Sequence, residues 1–317
     1  MIKIENLTYR FPDGTEGLRG INLSIKKGEF VALLGRNGSG KSTLLRHLNG
    51  LLRPSEGNVF VKGLNSTDSS KLLEIRQAVG MVFQNPATQF VGTTLEEDVA
   101  FGLENLALPP EEIRKRVDRA LAEVGLENYT ARSSKALSGG QQQCAAIASV
   151  LAMKPECLVF DEVTSMLDPE SRALVLRTVG KLRGKGRTIV YVTHRLEEVL
   201  AADRVIVMDG GKIVREGKPE EVFKPGKEEA GDGIPDSGSD PISGYVSKSA
   251  SNSTSNSTSN STSDSISGLG LEAFGLKLPP VVELLNGLKA EGFFPDWSKL
   301  TSNESLAEEI WASLSKT

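Results

Sequence analysis

Nine residues, Gly35-Arg36-Asn37-Gly38-Ser39-Gly40-Lys41-Ser42-Thr43, constrain this chain more than any other stretch. They carry the pattern G-x-x-x-x-G-K-S, running from Gly35 through Gly40 to Lys41 and Ser42. The apolar run Phe30 to Leu34 precedes them and reads as a buried strand, and Leu44, Leu45 and Leu48 follow at helical spacing. Strand, glycine-rich turn and helix in that order form a phosphate-binding loop. Its backbone N–H groups turn inward around a polyphosphate, and the positive end of the following helix adds to the attraction. The pattern directs Lys41 at the terminal phosphates and the Ser42 hydroxyl at Mg²⁺. A chance glycine-rich turn would need neither flank.

From residue 1 to about 223 the chain reads as one α/β unit. Apolar strands are expected at Phe30–Leu34, Val79–Phe83, Leu158–Phe160, Ile189–Val192 and Val205–Met208. Amphipathic helices lie between them, such as Glu111–Val124, where Ile113, Val117, Ala120, Leu121 and Val124 share a face. This alternation predicts a largely parallel sheet covered on both faces. Residues 225–268 then turn rich in Gly, Ser, Asn, Thr and Asp, with a Ser-Asn-Ser-Thr repeat, and are expected to be a disordered tether. Residues 269–317 return to an apolar composition and are expected to form a small helical extension. That extension is too short for a core of its own and needs a partner face, either its own main domain or a second copy.

Composition narrows the class of partner. A net charge of −4 argues against nucleic acid, whose phosphates recruit basic surfaces. No apolar run approaches the roughly 18 residues that suggest a membrane span. The N-terminus, Met1-Ile2-Lys3-Ile4-Glu5, does not read as a signal peptide. The two cysteines, Cys144 and Cys157, lack metal-type spacing and are read as small buried thiols of a cytoplasmic protein.

A phosphate loop alone leaves GTPases, kinases and many ATPases open. Four further elements narrow the choice. Leu158-Val159-Phe160-Asp161-Glu162 is an apolar strand ending in two acids. Asp161 suits Mg²⁺ there, and Glu162 suits a general base that polarises the attacking water. Leu137-Ser138-Gly139-Gly140-Gln141 opens a long helix to about Met153. Ser138 is a good N-cap, and the glycines expose amides as an anion site; a simple capped helix start is the alternative. His194 ends the strand Thr188–Thr193, at the carboxyl edge where ligands of open α/β sheets collect, whereas His47 inside a helix reads as a packing or surface residue. Gln84 ends the strand Gly80–Phe83 and can contact Mg²⁺ and the attacking water, or simply form a turn before Asn85-Pro86.

Over residues 1 to about 223 these elements, in this order, resemble an ATP-binding cassette (ABC) ATPase, the nucleotide-hydrolysing subunit of membrane transporters. The resemblance makes Gly35–Thr43 the phosphate loop, with Gly35, Asn37, Gly38, Ser39, Gly40, Lys41, Ser42 and Thr43 binding ATP. Gln84 becomes the Q-loop glutamine, Ser138, Gly139, Gly140 and Gln141 the signature, and Ser165-Met166-Leu167-Asp168 the D-loop. Glu162, His194 and Gln84 are implied as catalytic, and Ser42, Gln84 and Asp161 as Mg²⁺ ligands. Phe11 falls where the family places its adenine-stacking aromatic, ahead of Tyr9. The implied fold is a P-loop NTPase cassette: a mostly parallel sheet core, an antiparallel N-terminal β subdomain and an α-helical subdomain carrying the signature. Two departures stand out, Val163 where the family usually has proline and Cys144 where many members have arginine. Neither removes a group that touches nucleotide or water.

Phe83-Gln84-Asn85-Pro86-Ala87-Thr88-Gln89-Phe90-Val91, continuing to Glu96–Gly102, resembles the energy-coupling factor branch, the ATPases of cobalt, nickel and vitamin importers. The resemblance implies a second ATPase subunit, either an identical copy or a paired homologue. It also implies a transmembrane coupling subunit, a substrate-binding membrane subunit, and a place on the cytoplasmic face of the membrane. In a head-to-tail dimer each ATP lies between the Lys41 loop of one subunit and Ser138-Gly139-Gly140 of the other. An importer of another ABC class with a regulatory tail is the alternative. Repair ATPases insert a coiled coil between phosphate loop and signature, and no heptad run occurs between Thr43 and Leu137. Translation members usually carry two cassettes, and a non-hydrolysing binding module conflicts with Glu162 and His194.

Overall fold

The computed structural model describes residues 1–223. The tether and extension expected at 225–268 and 269–317 lie outside the described residues. In chain order the elements are β1 (Ile2–Arg10), β2 (Glu16–Ile25), β3 (Phe30–Gly35), α1 (Lys41–Leu48), β4 (Glu56–Val61), β5 (Leu64–Asn65), α2 (Leu72–Ala78) and β6 (Val79–Val82). They continue with α3 (Leu95–Glu104), α4 (Pro110–Val124), α5 (Gly139–Ala152), β7 (Cys157–Asp161), α6 (Pro169–Gly184), β8 (Thr188–Val192), β9 (Arg204–Asp209), β10 (Lys212–Gly217) and α7 (Pro219–Val222).

Two sheets result. An antiparallel sheet has the order β2-β1-β4-β5, and a second has the order β10-β9-β3-β8-β7-β6. In the second, only β10 runs antiparallel to its neighbour. Strands β3, β7 and β8 show no alternation of burial, because both of their faces are covered. Their successive side chains divide between two cores instead. Phe30, Ala32, Leu34, Leu158, Phe160, Ile189 and Tyr191 enter the core beneath α3–α6. Val31, Leu33, Cys157, Val159, Val190 and Val192 enter the core shared with α1, α2 and the antiparallel sheet. Burying one such Leu, Ile or Val stabilises by roughly 1.5–3 kcal/mol.

Local signals set the helix ends. Pro110 starts α4, and Gly125, in the left-handed conformation at φ 76°, stops it. The predicted apolar face of α4 is buried at Val117, Ala120, Leu121 and Val124, with Ile113 packing half-buried beside it. Thr94 and Glu97 form a reciprocal capping box at the start of α3. Asp98, buried in the same first turn, accepts the Val91 and Gly92 amides at 2.7 Å each and the Ser134 hydroxyl. It thereby ties the segment after β6 to the segment before α5.

Two strands end earlier than their sequences suggest, and a third turns sharply at its end. β6 stops at Val82, because the Phe83 amide turns to the Gln89 side chain at 3.0 Å. β8 stops at Val192, where the Thr193 hydroxyl accepts the Arg195 amide at 3.0 Å and bends the chain. β7 ends at Asp161, because Glu162 adopts a left-handed φ of 51°. Helix α5 ends at Ala152, with Met153 as its cap. Cys144 and Cys157 are free and buried, as expected. Burial pushes the Cys157 thiol up to about 12.

Candidate active site

Parallel order places the carboxyl ends of β3, β8 and β7 side by side, with Leu33 opposite Val192 and Val192 opposite Asp161. The loop after β3, Glu162 after β7 and His194 after β8 therefore open on one edge of the sheet.

The loop after β3 closes tightly. A Cβ on Gly35 would lie 2.4 Å from the Met208 carbonyl, and one on Gly40 would lie 2.7 Å from the Gly17 carbonyl. Gly40, at φ 99°, is also the N-cap of α1, and no side chain caps that helix. Its first amides are thus left to an external acceptor. Ser39 Oγ is buried in the same loop without a hydrogen-bond partner. Lys41 is 4% exposed and curls back over the loop, donating to the Gly35 carbonyl at 2.8 Å and the Arg36 carbonyl at 3.0 Å. Burial lowers its pKa, while Glu162 and Asp161 oppose that shift.

Ser42 Oγ donates to Asp161 Oδ1 at 3.0 Å across the gap between α1 and β7. Burial raises the Asp161 pKa, helped by the neighbouring Glu162 charge. A carboxyl with a raised folded-state value stabilises fully below its unfolded value and loses that contribution as pH rises through the folded value. At neutral pH the ionised Asp161 therefore costs stability in the nucleotide-free chain. Asp161→Asn keeps the acceptor for Ser42 and is expected to raise the melting temperature at pH 7 without nucleotide or metal. A lower melting temperature would show that desolvation is not the dominant effect.

Glu162 lies between the Lys41 ammonium and the His194 imidazole. Its Oε1 is 3.8 Å from Lys41 Nζ, and its Oε2 is 3.8 Å from His194 Nδ1. A left-handed non-glycine residue is strained, and such residues concentrate at functional sites. Here the neighbours hold it: the Glu162 amide donates to the Val192 carbonyl at 3.1 Å, and its carbonyl accepts the Ser165 hydroxyl at 2.9 Å. Gln84 Nε2 donates to that same hydroxyl at 2.9 Å. Lys41, Ser42, Asp161, Glu162, His194 and Gln84 thus form one connected group.

The remaining predicted residues flank this group or lie on other elements. Ser138 and Gln141 bond each other at the start of α5, amide to Oε1 at 3.0 Å and amide to Oγ at 3.3 Å. A Cβ on Gly139 would meet Leu167, and one on Gly140 would meet Ser171, so the signature segment packs on the start of α6. Phe11 packs over Gly17, the residue whose carbonyl abuts Gly40, and meets Tyr9 edge-on at 5.0 Å. His47 is buried, with Nδ1 2.7 Å from the Thr43 carbonyl, and is a packing residue. Asn37, Gly38 and Thr43 belong to the loop and the first turn of α1.

Ser165, quoted in the D-loop run, takes a larger part than the sequence suggested, because it joins Gln84 to Glu162. Glu198 was not anticipated. In Leu196-Glu197-Glu198-Val199 nothing separates exposed Glu197 from buried Glu198. Only the fold makes that distinction.

The ABC transporter family model matches residues 18–165. An energy-coupling factor transporter ATP-binding protein, EcfA, of Methanosarcina acetivorans is 52% identical over 317 residues, covering 100% of both chains. The chain belongs to the ABC transporter family. Within it, the similarity to EcfA places the chain in the energy-coupling factor branch. Among solved structures, cbiO1 from Clostridium perfringens, part of the ABC transporter complex cbiONQ, matches with a TM-score of 0.65 and 40% identity. That match covers 70% of this chain and 90% of cbiO1. The ATP-binding cassette MJ0796, dimeric and bound to ADP and Pi in a post-hydrolysis state, matches with a TM-score of 0.62 and 34% identity. It covers 69% of this chain and 99% of MJ0796. The fold inferred from sequence is the fold found: a mostly parallel core sheet, an antiparallel N-terminal sheet, and helices α3–α5 carrying the signature segment. No helix of the described residues is long and apolar enough to cross a membrane.

Proposed function

We propose that this chain is the ATP-binding and ATP-hydrolysing subunit of an energy-coupling factor importer. It powers uptake of a metal ion (cobalt or nickel) or a vitamin through partner membrane subunits. The observation that carries the reading is the convergence of Lys41, Glu162 and His194 at one sheet edge, with the Glu162 carboxylate 3.8 Å from Lys41 Nζ and 3.8 Å from His194 Nδ1. Lys41 and the loop amides hold the phosphates, and the open turn of α1 receives them. Phe11 offers an aromatic face to the adenine. Ser42, Asp161 and Gln84 supply hard oxygen donors that fit Mg²⁺, and these residues would hold it. When bound, it neutralises charge on the phosphates. Glu162 accepts a proton from the attacking water, and His194 orients the reacting group and Glu162. Gln84 is linked through Ser165 to the Glu162 backbone, so movement of the segment after β6 reaches the general base.

Ser138, Gly139 and Gly140 stand at the start of α5, on a different element from the Lys41 loop. They act across a head-to-tail dimer, closing on the phosphates held by a second ATPase subunit. Closure then depends on the terminal phosphate and is released by hydrolysis, which converts the reaction into motion. The chain works at the cytoplasmic face of the membrane, bound to a transmembrane coupling subunit and, through it, to a substrate-binding subunit.

Affinity purification of the tagged full-length chain from solubilised membranes is expected to recover two integral membrane proteins. ATP hydrolysis by that complex is expected to accompany uptake of labelled cobalt, nickel or a vitamin into vesicles. Recovery of the chain without any membrane protein would overturn the transport reading.

A further inference from the structure

Behind the site, Glu198 carries a second network. Its carboxylate accepts three hydroxyls: Thr164 at 2.9 Å to both oxygens, Tyr191 at 3.1 Å and Thr193 at 2.8 Å. All four residues are buried, none more than 7% exposed. Each hydroxyl has one proton, and a carboxylate has only acceptors, so the three donors and one acceptor group match without remainder. Burial and the adjacent Glu198 raise the Tyr191 phenol well above its usual value, which keeps its proton available for this bond.

The placement of those partners gives the network its meaning. Thr193 immediately precedes His194, and its hydroxyl also accepts the Arg195 amide. Thr164 stands two residues after Glu162 and one before Ser165, and its carbonyl accepts the Leu167 amide at 3.3 Å. One side chain therefore fastens the turn that carries His194 to the turn that carries Glu162. Glu162 itself makes one backbone bond to β8 and otherwise relies on this turn for its left-handed geometry.

We propose that Glu198 is a positioning residue for hydrolysis: it locks the His194 turn to the Glu162 turn and fixes the separation of imidazole and carboxylate. It acts through those two turns. The proposal rests on the reading that Glu162 and His194 act at the attacking water. Misplacement of catalytic groups by about 1 Å can cost a factor of 10², so small relaxations in this network have large kinetic effects.

Glu198→Gln keeps the volume but replaces one acceptor oxygen by a donor that faces hydroxyls already donating. In the full-length chain it is expected to lower kcat for ATP about 10- to 100-fold, with KM for ATP within about twofold because the Lys41 loop is untouched. Thr193→Val removes one leg and should lower kcat less. Combined with Glu198→Gln it should add almost nothing, since the two act through one bond. Two results would overturn the proposal. One is a kcat within twofold of the parent for Glu198→Gln. The other is loss of ATP affinity and melting temperature in parallel with kcat, which marks a residue needed only for folding. Should Glu198→Gln not fold, Thr193→Val and Thr164→Val carry the same kcat-against-KM test. Glu162→Gln run alongside separates the two readings: if it remains active, the general-base reading fails, and if it is inactive while Glu198→Gln is active, only the positioning role fails.

Discussion

Replacing Glu162 by Gln is expected to lower ATP turnover by about 10²- to 10⁴-fold, the usual contribution of a positioned general base. The amide keeps the shape and can remain between Lys41 and His194, but it cannot take a proton at neutral pH. ATP binding should survive and even strengthen. In the parent chain the Glu162 carboxylate sits 3.8 Å from Lys41 Nζ, and together with Asp161 it opposes an incoming polyphosphate. Removing one negative charge there relieves that repulsion while the loop donors stay in place. A subunit that binds and cannot hydrolyse should accumulate as the closed dimer. Single-turnover kinetics and light scattering with ATP would read both effects. Turnover within a few-fold of the parent would remove Glu162 from the role of base and leave the acid at the end of β7 without a chemical assignment.

How much of this site was legible before folding depends on what each residue answers to. The loop from Gly35 to Thr43 announced itself because backbone geometry forces glycine at fixed places. Gly40 cannot carry a side chain against the Gly17 carbonyl, and that constraint is local enough to appear as a spacing. Strands β3, β7 and β8 were legible as apolar runs because both faces are buried. Strand ends were less so: Phe83 leaves the ladder because its amide donates to the Gln89 side chain, and the chain bends after Val192 because the Thr193 hydroxyl accepts the Arg195 amide. The antiparallel N-terminal sheet was expected only through family resemblance, although Ile2 and Ile4, and Ile21, Leu23 and Ile25, alternate with polar residues as half-buried strands do. Glu198 and Asp98 were invisible for a different reason. A buried carboxylate is recognised by its donors, and those of Glu198 come from residues 5, 7 and 34 positions away. Nothing in the neighbouring sequence records them.

Lys41→Ala should act at binding, before chemistry. Its ammonium is the one cation buried in the phosphate loop, and in the nucleotide-free chain it satisfies itself on the Gly35 and Arg36 carbonyls. Burial already disfavours its charge, as its lowered pKa records, so the nucleotide-free fold gains little from it. A bound polyphosphate changes that balance by giving the ammonium an anionic acceptor, and charge-assisted hydrogen bonds contribute about 1.5–3 kcal/mol each. Its removal should therefore weaken ATP binding by about 10- to 100-fold while leaving the melting temperature of the nucleotide-free chain close to the parent. Lys41→Arg should not restore affinity. A planar guanidinium with five donors cannot follow the path of a slim ammonium stem that is only 4% exposed. Calorimetric titration of ATP into each full-length variant distinguishes the two effects. An unchanged Kd in Lys41→Ala would mean that the loop amides hold the phosphates alone. Lys41 would then serve only the chemical step, through its 3.8 Å approach to Glu162.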